Sequence, residues 1–365
     1  MYEPDSSQPA AIETSPPSSL PRRALLPAAA VLVAGLLAWF TWRNYSSFEW
    51  VRFAKTFAAL RWHWFFLGLF LSAASFVGRA VRWQVMMLPL RSSFWNVTFA
   101  TYVGFSAIVL FGRAGELIRP YLIARREGTD LAVQAGVWVL ERLYDFIVIL
   151  LLFGVGIQYA IQYARHGAVP AGSRLHLVLA TGGWIATGCA VLAAAVFYLM
   201  AHRPEFCRQR LSDATAFLSP ERHAAFSRAL DSFLAGIRPA AHWPTFWKTC
   251  ALTVAEWAII LGGGYCFFHA VPLASTLGFI DVAAFWGIVS FGSIVQLPGV
   301  GGGMQIASIF VLTELFRMPL DQATGFSLLL WACTSLIALP IGVPLAFYSG
   351  LNFQKLRRIG RESTL

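Results

Sequence analysis

The sequence predicts an all-α, polytopic membrane protein with about six full transmembrane helices and two oppositely oriented re-entrant helical hairpins. Of its 365 residues, 57% are hydrophobic and only 13% are charged, and the mean hydropathy is +0.61. Soluble domains are usually about a quarter charged. The apolar residues also cluster in runs of about 20, the length that crosses a bilayer as a helix. Two further runs are interrupted by glycine and polar residues.

The elements follow in chain order. Residues 1–20 are rich in Pro and Ser with few large apolar side chains, which predicts a disordered tail. Residues 21–352 form the predicted transmembrane domain, and 353–365 a basic cytoplasmic tail. The first apolar run is too long for a signal peptide and lacks a small-x-small cleavage site, so we expect an uncleaved span. The predicted full spans are residues 25–42, 62–78, 131–161, 175–200, 246–270 and 325–348.

The two interrupted runs predict the hairpins. Residues 94–121 are broken by "FGRAGE" and residues 280–316 by "QLPGVGGGMQ". Each half has about 14 to 17 residues, which is too short to cross alone but long enough to enter the membrane, turn and return.

The distribution of basic residues predicts the orientation. With a cytoplasmic N-terminus, the first hairpin opens to the cytoplasm, the second opens to the outside, and the C-terminus returns inside. Most Lys and Arg residues then fall on the cytoplasmic side, including Arg79, Arg82 and Arg91 after the second span. We therefore expect a multi-pass plasma-membrane protein with both termini cytoplasmic. The insert 202–243 is expected to be cytoplasmic and to form two short amphipathic helices separated by "LSPE".

Several classes of function lack their usual patterns. The net charge of +10 sits in short clusters between apolar runs, which is typical of membrane topology rather than of nucleic-acid binding. The five cysteines show no CxxC spacing, and neither HExxH nor GxSxG occurs. We therefore expect no enzyme activity, no metal, no cofactor and no nucleic-acid partner.

Charged residues inside the predicted spans are the best candidates for a site. An ionised side chain within a span costs roughly 2.5 to 3.5 kcal/mol on insertion scales, so it needs a partner or a wet cavity. Glu141, Arg142 and Asp145 lie in the third span, where Glu141 is expected near the bilayer middle. Glu256 is expected at a similar depth in its own span. These acids require cations.

The tip of the first hairpin offers those cations. Arg113, Glu116 and Arg119 recur at three-residue steps after a glycine turn, and we expect Arg113 or Arg119 to pair with Glu141. Two interpretations stay open. The residues form only a fold-locking ion network, or at least one arginine also binds an anionic substrate, for which the planar guanidinium is well suited.

The tip of the second hairpin is uncharged and rich in glycine. Its glycines expose backbone N–H groups at the start of a half-helix, an arrangement that binds anions in some transporters. The alternative is that they only permit a tight turn and close packing. A neutral amide at this tip could also bind a ligand. The candidate residues are Pro298, Gly299, Gly301, Gly302, Gly303 and Gln305.

Three motifs together carry a family resemblance. "GRAGELIRPYLIA", "VLERLYDF" and "LPGVGGGMQIAS" make the chain resemble, over about residues 25–350, the flippase-like family, also called the lysylphosphatidylglycerol synthase transmembrane region. The resemblance implies an integral membrane fold that moves an aminoacylated phospholipid between leaflets in lipid-modifying members; other members are tied to glycolipid pathways. It places the family's polar hairpin, acidic helix and glycine-rich tip at Gly112, Arg113, Gly115, Glu116, Arg119, Glu141, Arg142, Asp145, Pro298, Gly299, Gly301 and Gly302.

The sequence departs from the family pattern at the second tip. Val300 takes a glycine position and Gln305 stands where an acid is expected, which weakens the implication of a cationic head group. The printed chain carries no soluble aminoacyl-transferase domain, so we do not expect it to aminoacylate lipids alone. The resulting hypothesis is a translocase for an anionic or phosphate-bearing lipid or glycolipid. The alternative is a scaffold or accessory subunit for a glycolipid or cell-envelope enzyme.

Overall fold

The computed structural model describes residues 58–165, 202–215, 219–292, 296–297 and 301–349, with scattered residues between 188 and 217. These residues are almost entirely helical, apart from a two-residue antiparallel pairing between β1 (Gln296–Leu297) and β2 (Gly301–Gly302). The helices are α1 (Trp62–Met86), α2 (Phe94–Phe111), α3 (Ile118–Glu127), α4 (Leu131–Arg165), α5 (Pro204–Ala214), α6 (Pro220–Ile237), α7 (Trp243–Ala270), α8 (Phe279–Gly292), α9 (Gly303–Glu314), α10 (Leu320–Thr334) and α11 (Leu339–Tyr348).

Four segments of the described chain are long and apolar enough to cross a membrane: Trp62–Met86, Phe94–Glu127, Trp243–Ala270 and Leu320–Tyr348. Helix α4, with 35 residues, also covers the predicted span 131–161. The predicted spans 25–42 and 175–200 lie wholly or mostly outside the described residues, so they stay predictions. The chain is therefore multi-pass, while the count of six spans stays a prediction.

The antiparallel pair of α1 and α7 forms the centre of the helix packing. The backbone N–H of Arg61 donates to the carbonyl of Ala270 at 2.8 Å, which joins the start of α1 to the end of α7. Gly68 lies directly against the ring of Phe267, where any side chain would collide. The bare glycine backbone lets the two helices approach closely, and this closeness brings their polar residues into contact further along the pair.

The first predicted hairpin region does reverse direction. A Cβ added to Gly104 on α2 would lie 2.6 Å from the Cβ of Arg119 on α3, although 15 residues separate them. At the other end, the backbone N–H of Ser93 donates to Glu127 Oε2 at 3.1 Å, so the two ends of the hairpin meet. The turn between them is the 3-10 segment Gly112–Leu117. The whole stretch Phe94–Glu127 is long enough to cross a membrane, but it folds back on itself at this turn.

The second predicted hairpin region also folds back. Gly292 at the end of α8 lies against Ala307 and the Gly303 carbonyl of α9, with no room for a side chain. Apolar residues of both helices share one core cluster, including Phe285, Val311 and Leu312. Pro298, Gly299 and Val300 lie outside the described residues. β1 packs against the 3-10 turn of the first hairpin, so the two tips are neighbours.

The two hairpins open at opposite ends of the helix packing. The ends of the first lie with the start of α4 and with α6, where Ser232 Oγ donates to Asp130 Oδ2 at 3.0 Å. The second begins at Phe279, whose ring is 6.1 Å from that of Tyr265 near the end of α7. That the two hairpins re-enter the membrane from opposite sides stays a prediction.

One predicted boundary is wrong, and one predicted span contains a break. The second span ends at Met86 rather than at residue 78, because the stretch after Gly78 continues to pack apolar side chains into the core. The predicted span 325–348 lies within the apolar segment Leu320–Tyr348, in which the 3-10 turn Leu336–Ala338 separates α10 from α11. Pro340 explains this break, since it has no N–H to donate and its ring clashes with the preceding turn.

The polar insert forms the two helices that its sequence predicts. α5 and α6 flank residues 215–219, and α6 begins at Pro220 after Ser219. α6 is more than a surface connector, because Leu230 and Leu234 are buried and Gly236 meets Gly136 of α4 backbone to backbone. This contact fixes the insert to the start of α4.

Candidate functional site

Seven charged side chains meet between the helices and form what we call the central ion network: Arg79, Arg82, Arg119, Glu141, Arg142, Asp145 and Glu256. They come from α1, α3, α4 and α7. Glu141 lies ten residues into α4, which is about 15 Å along the helix axis. Charges at that depth require partners, and the network supplies them.

Arg82 is the centre of the network. Its guanidinium contacts one carboxylate oxygen of each acid, at 2.7 Å for Asp145, 3.2 Å for Glu141 and 3.2 Å for Glu256. The side chain has no exposed surface, and Nη1 also donates to Thr253 Oγ1 at 3.2 Å. Arg82 therefore ties α1 to both acidic helices, and its position is fixed on several sides.

Arg119 anchors the first hairpin to the network. Its Nη1 lies 3.0 Å from each carboxylate oxygen of Glu141, as the sequence predicts. Nη2 donates to the backbone carbonyl of Arg79 at 3.1 Å, and the guanidinium stacks 4.2 Å above the ring of Trp83. The missing side chain at Gly104 lets the backbone of Arg119 come close enough for these contacts.

Arg142 and Arg79 occupy a more accessible part of the network. Arg142 Nη2 lies 2.9 Å from Glu141 Oε2 and 3.2 Å from Asp145 Oδ2, yet 42% of its side chain is accessible. Arg79 contacts Glu256 at 3.2 Å and keeps 15% of its side-chain surface. These two arginines thus pair with carboxylates and also present surface to the space beside them.

Counted over the residues that the structure describes, the network contains four arginines and three carboxylates, a formal excess of one positive charge. In a low-dielectric interior such an excess favours the entry of an anion, because an unbalanced buried charge is unfavourable. The electrostatics therefore suit a negatively charged ligand better than a cation.

The space beside the network is a cavity of about 320 Å³, which we call the central cavity. It is partly apolar, with Phe76, Phe105 and Trp286 among its walls. Both hairpins reach it, through the 3-10 turn of the first and Met304 of the second. Its charged lining residues are Arg79, Arg113, Glu116, Arg119, Glu141, Arg142 and Asp145.

Arg113 does not pair with Glu141; it forms an ion pair with Glu116 in the hairpin turn. Its side chain is 49% accessible, whereas that of Glu116 is 15% accessible. Both arginines line the central cavity, but the 3-10 turn leaves Arg113 about half accessible, whereas Arg119 on α3 is almost fully enclosed.

The tip of the second hairpin adds backbone groups of its glycines and the side-chain amide of Gln305 to this region. Gly302 has a φ of 113°, which side-chain-bearing residues rarely adopt. Its N–H donates to Gln305 Oε1 at 2.7 Å, so the amide that was a candidate ligand group caps the start of α9. Gly301, Gly302 and Gly303 are described, whereas Pro298 and Gly299 are not. In the described part of this tip, Gly302 and Gln305 therefore stabilise the turn and the start of α9.

Sequence reasoning missed two parts of the site. Arg79 and Arg82 were assigned to a cytoplasmic loop, but they lie within α1 and pair with the buried acids. Their signal was the apolar stretch around them, with Trp83 and Met86 at helical spacing and no acid nearby. Thr334 and Ser335 also line the central cavity, at the helix break before Pro340. A proline inside an apolar run was the available signal.

No group of three His, Cys, Asp or Glu side chains in the described ranges is placed to hold a metal ion. The polar side chains that line the central cavity include arginine, carboxylate and hydroxyl groups, which can form ion pairs and hydrogen bonds.

The chain belongs to the family described as the lysylphosphatidylglycerol synthase TM region, whose model matches residues 28–342. This match covers most of the chain and includes both hairpins, the network and the cavity. No curated protein and no solved structure matches the chain. The protein is thus a multi-pass member of a family named for the membrane region of a lipid-modifying enzyme.

Proposed function

We propose that this protein is a lipid translocase that moves an anionic or phosphate-bearing lipid or glycolipid between the leaflets. The observation that carries the proposal is the central cavity, where a network with one excess positive charge borders accessible arginine side chains. A phosphate would balance the excess, and its acyl chains would remain in the surrounding lipid. We assign no catalytic step to this cavity.

The accessible arginines are the proposed ligand groups. Arg113 and Arg142 keep about half of their side-chain surface, while Arg82 and Arg119 are almost fully enclosed by partners. Arginine can bind two phosphate oxygens at once, so these two side chains suit a phosphate in the cavity. Arg82 and Arg119 instead hold the helices that position them.

In this proposal, Glu116 is the partner of Arg113 whenever no phosphate is bound. Its carboxylate pairs with Arg113, and a phosphate would compete for the same guanidinium. A released phosphate would be replaced by Glu116, so neither state leaves Arg113 unpaired. Such exchange allows a ligand to leave again, which transport requires as much as binding.

In this proposal, the lipid head group crosses the membrane between the two inverted hairpins. We propose that both re-enter the membrane from opposite sides and that their tips meet beside the cavity, with both termini and the insert 202–243 cytoplasmic. Single cysteines at Ser173 and Ser227, in a background without the native cysteines, should label from opposite sides of the membrane. Labelling of both from one side would remove this topology.

The function is tested with purified protein in proteoliposomes. Head-group-labelled phosphatidylglycerol and phosphatidylcholine are compared, and protein-free liposomes serve as the control. The proposal predicts faster leaflet exchange of the acidic lipid, and competition by other phosphate-bearing lipids. Equal exchange of both lipids, or no exchange of any acidic lipid of the host membrane, would contradict it.

A scaffold or accessory subunit for an envelope or glycolipid enzyme is the second candidate. It is favoured by the ion pairs of Arg82 and Arg119, which are almost fully enclosed and join α1, α3, α4 and α7. If that is the whole role, a folded exchange of Arg113 and Glu116, which form an ion pair with each other in the hairpin turn, should keep function. Under the translocase proposal the same exchange abolishes it.

A further inference from the structure

A second cavity lies away from the central ion network, where the end of α1, the start of α4, the 3-10 turn Arg238–Ala241 and the start of α7 meet. Its volume is about 540 Å³, larger than that of the central cavity. Its walls are mostly apolar, and they include Met86, Met87, Leu88, Leu90, Val133 and Val137. None of the residues of the central ion network lines it.

Basic groups line the same cavity. Arg238, His242 and Lys248 line it, and no acidic residue does among those that the structure describes there. This lining contrasts with the central cavity, where carboxylates accompany every arginine. A cavity with a basic edge and apolar walls matches a ligand with an anionic head and an apolar body.

Neighbouring side chains place this cavity at the depth of lipid head groups. Trp243 and Trp247, in the first turns of α7, are 68% and 53% exposed. Exposed tryptophans of this kind are typical of the boundary between hydrocarbon and water. Leu88 and Leu90 are also exposed, at 39% and 44%, so the apolar wall continues onto the lipid-facing surface.

We propose that this second cavity binds an acidic phospholipid that stays bound and is not transported. Its phosphodiester contacts Arg238 and Lys248, and its acyl chains run along Leu88 and Leu90. A free phosphate would leave the apolar walls in contact with water, and a zwitterionic lipid would bring a cation to the basic edge. An acidic phospholipid pairs its anionic head group with the basic edge and covers the apolar walls with its acyl chains.

Such a lipid would join the helices that carry the network. α1 carries Arg82, α4 carries Glu141 and α7 carries Glu256, and all three contribute walls to this cavity. A ligand that binds only the folded protein stabilises it in proportion to its occupancy. The expected readout is therefore a rise in melting temperature that depends on the lipid head group.

The test titrates phosphatidylglycerol, phosphatidylcholine or inorganic phosphate into the full chain in neutral detergent while the melting temperature is followed. Three proteins are compared: the wild type, Arg238→Gln/Lys248→Gln, and the matched control Arg222→Gln/Arg228→Gln, which removes two exposed charges from α6 outside the cavity. Native mass spectrometry counts the bound lipids in each. All four substituted residues are exposed, so both variants should fold.

Phosphatidylglycerol is expected to stabilise the wild type and the control variant, with roughly 30-fold weaker half-saturation in Arg238→Gln/Lys248→Gln. Equal stabilisation by phosphatidylcholine, or an unchanged response in that variant, overturns the proposal. An equal response to inorganic phosphate overturns it in favour of a soluble anion. If Arg238→Gln/Lys248→Gln does not fold, the proposal is tested on the wild type alone, by comparing phosphatidylglycerol with phosphatidylcholine and by counting bound lipids with native mass spectrometry. Loss of transport is not part of this readout, so the proposed translocation can fail independently.

Discussion

The enclosed and the accessible arginines of the central site use the same functional group for different purposes. Arg82 and Arg119 have side-chain exposures of 0% and 4%, and each meets carboxylates from helices distant in sequence. Arg142 and Arg113 have exposures of 42% and 49%, and their carboxylate partners lie within three residues. The enclosed pair joins helices, whereas the accessible pair faces the cavity.

This difference shows that burial, more than charge, separates structural from ligand-binding roles here. Removing one member of an enclosed pair leaves a buried charge without compensation, which is strongly destabilising. Removing an accessible charge leaves groups that water can reach. Substitutions at the two kinds of arginine should therefore separate loss of folding from loss of transport.

The largest expected effect is at Arg82. Arg82→Gln leaves Glu141, Asp145 and Glu256 with one fewer cation, and we expect destabilisation of about 3 to 5 kcal/mol. The yield of monodisperse protein and its melting temperature in detergent provide the measurement. Arg91→Gln, an exposed residue beyond α1, is the control. Similar stability of both variants would contradict the structural role of Arg82.

The pair of Arg119 and Glu141 gives the next largest effect. Arg119→Gln alone should destabilise the protein by about 3 kcal/mol, because Glu141 loses two close contacts. The double variant Arg119→Gln/Glu141→Gln should recover part of that loss, because it removes the Glu141 carboxylate together with its Arg119 partner. Melting temperatures of both singles and the double form the mutant cycle. Additive losses would show that the two residues do not interact.

A smaller effect is expected from the hairpin packing. Gly115 lies against the backbone of Ala107, so Gly115→Ala must push the turn away from α2 at a cost of about 1 to 3 kcal/mol. Gly154→Ala on α4 is the matched control, because nothing lies within 4 Å of its added Cβ. The difference in melting temperature measures the effect. Equal values would mean that the reversal of the first hairpin is looser than described.

Much of this architecture follows from hydrophobic length and from the need to pair buried charges. The apolar runs predicted most helices, and the demand of Glu141 for a cation predicted a contact with Arg113 or Arg119, of which the structure shows Arg119. Arg79 and Arg82 were misplaced because charge counting treats any arginine after a long apolar run as a loop residue. Only the tertiary packing shows that three carboxylates from other helices surround Arg82.

The fate of the two hairpin arginines was also beyond sequence reasoning. Three-residue spacing in a regular helix would put Arg113, Glu116 and Arg119 on one face. The chain instead forms a 3-10 turn over Gly112–Leu117 before α3 begins, and Arg113 stays about half accessible while Arg119 is almost fully enclosed. The glycines that permit this turn were visible, but the direction of each side chain depends on the packing against α2.

The most direct test of the central claim is transport by the charge-neutral variant Arg113→Gln/Glu116→Gln. It removes both charges of an ion pair at the cavity wall, in which Arg113 is about half accessible, so neither charge is left without its partner and stability should change by less than about 1 kcal/mol. Exchange of labelled phosphatidylglycerol in proteoliposomes, normalised to folded protein, should fall at least about tenfold, since a charge-assisted contact to phosphate is lost. A folded variant that exchanges this lipid at the wild-type rate would contradict the account.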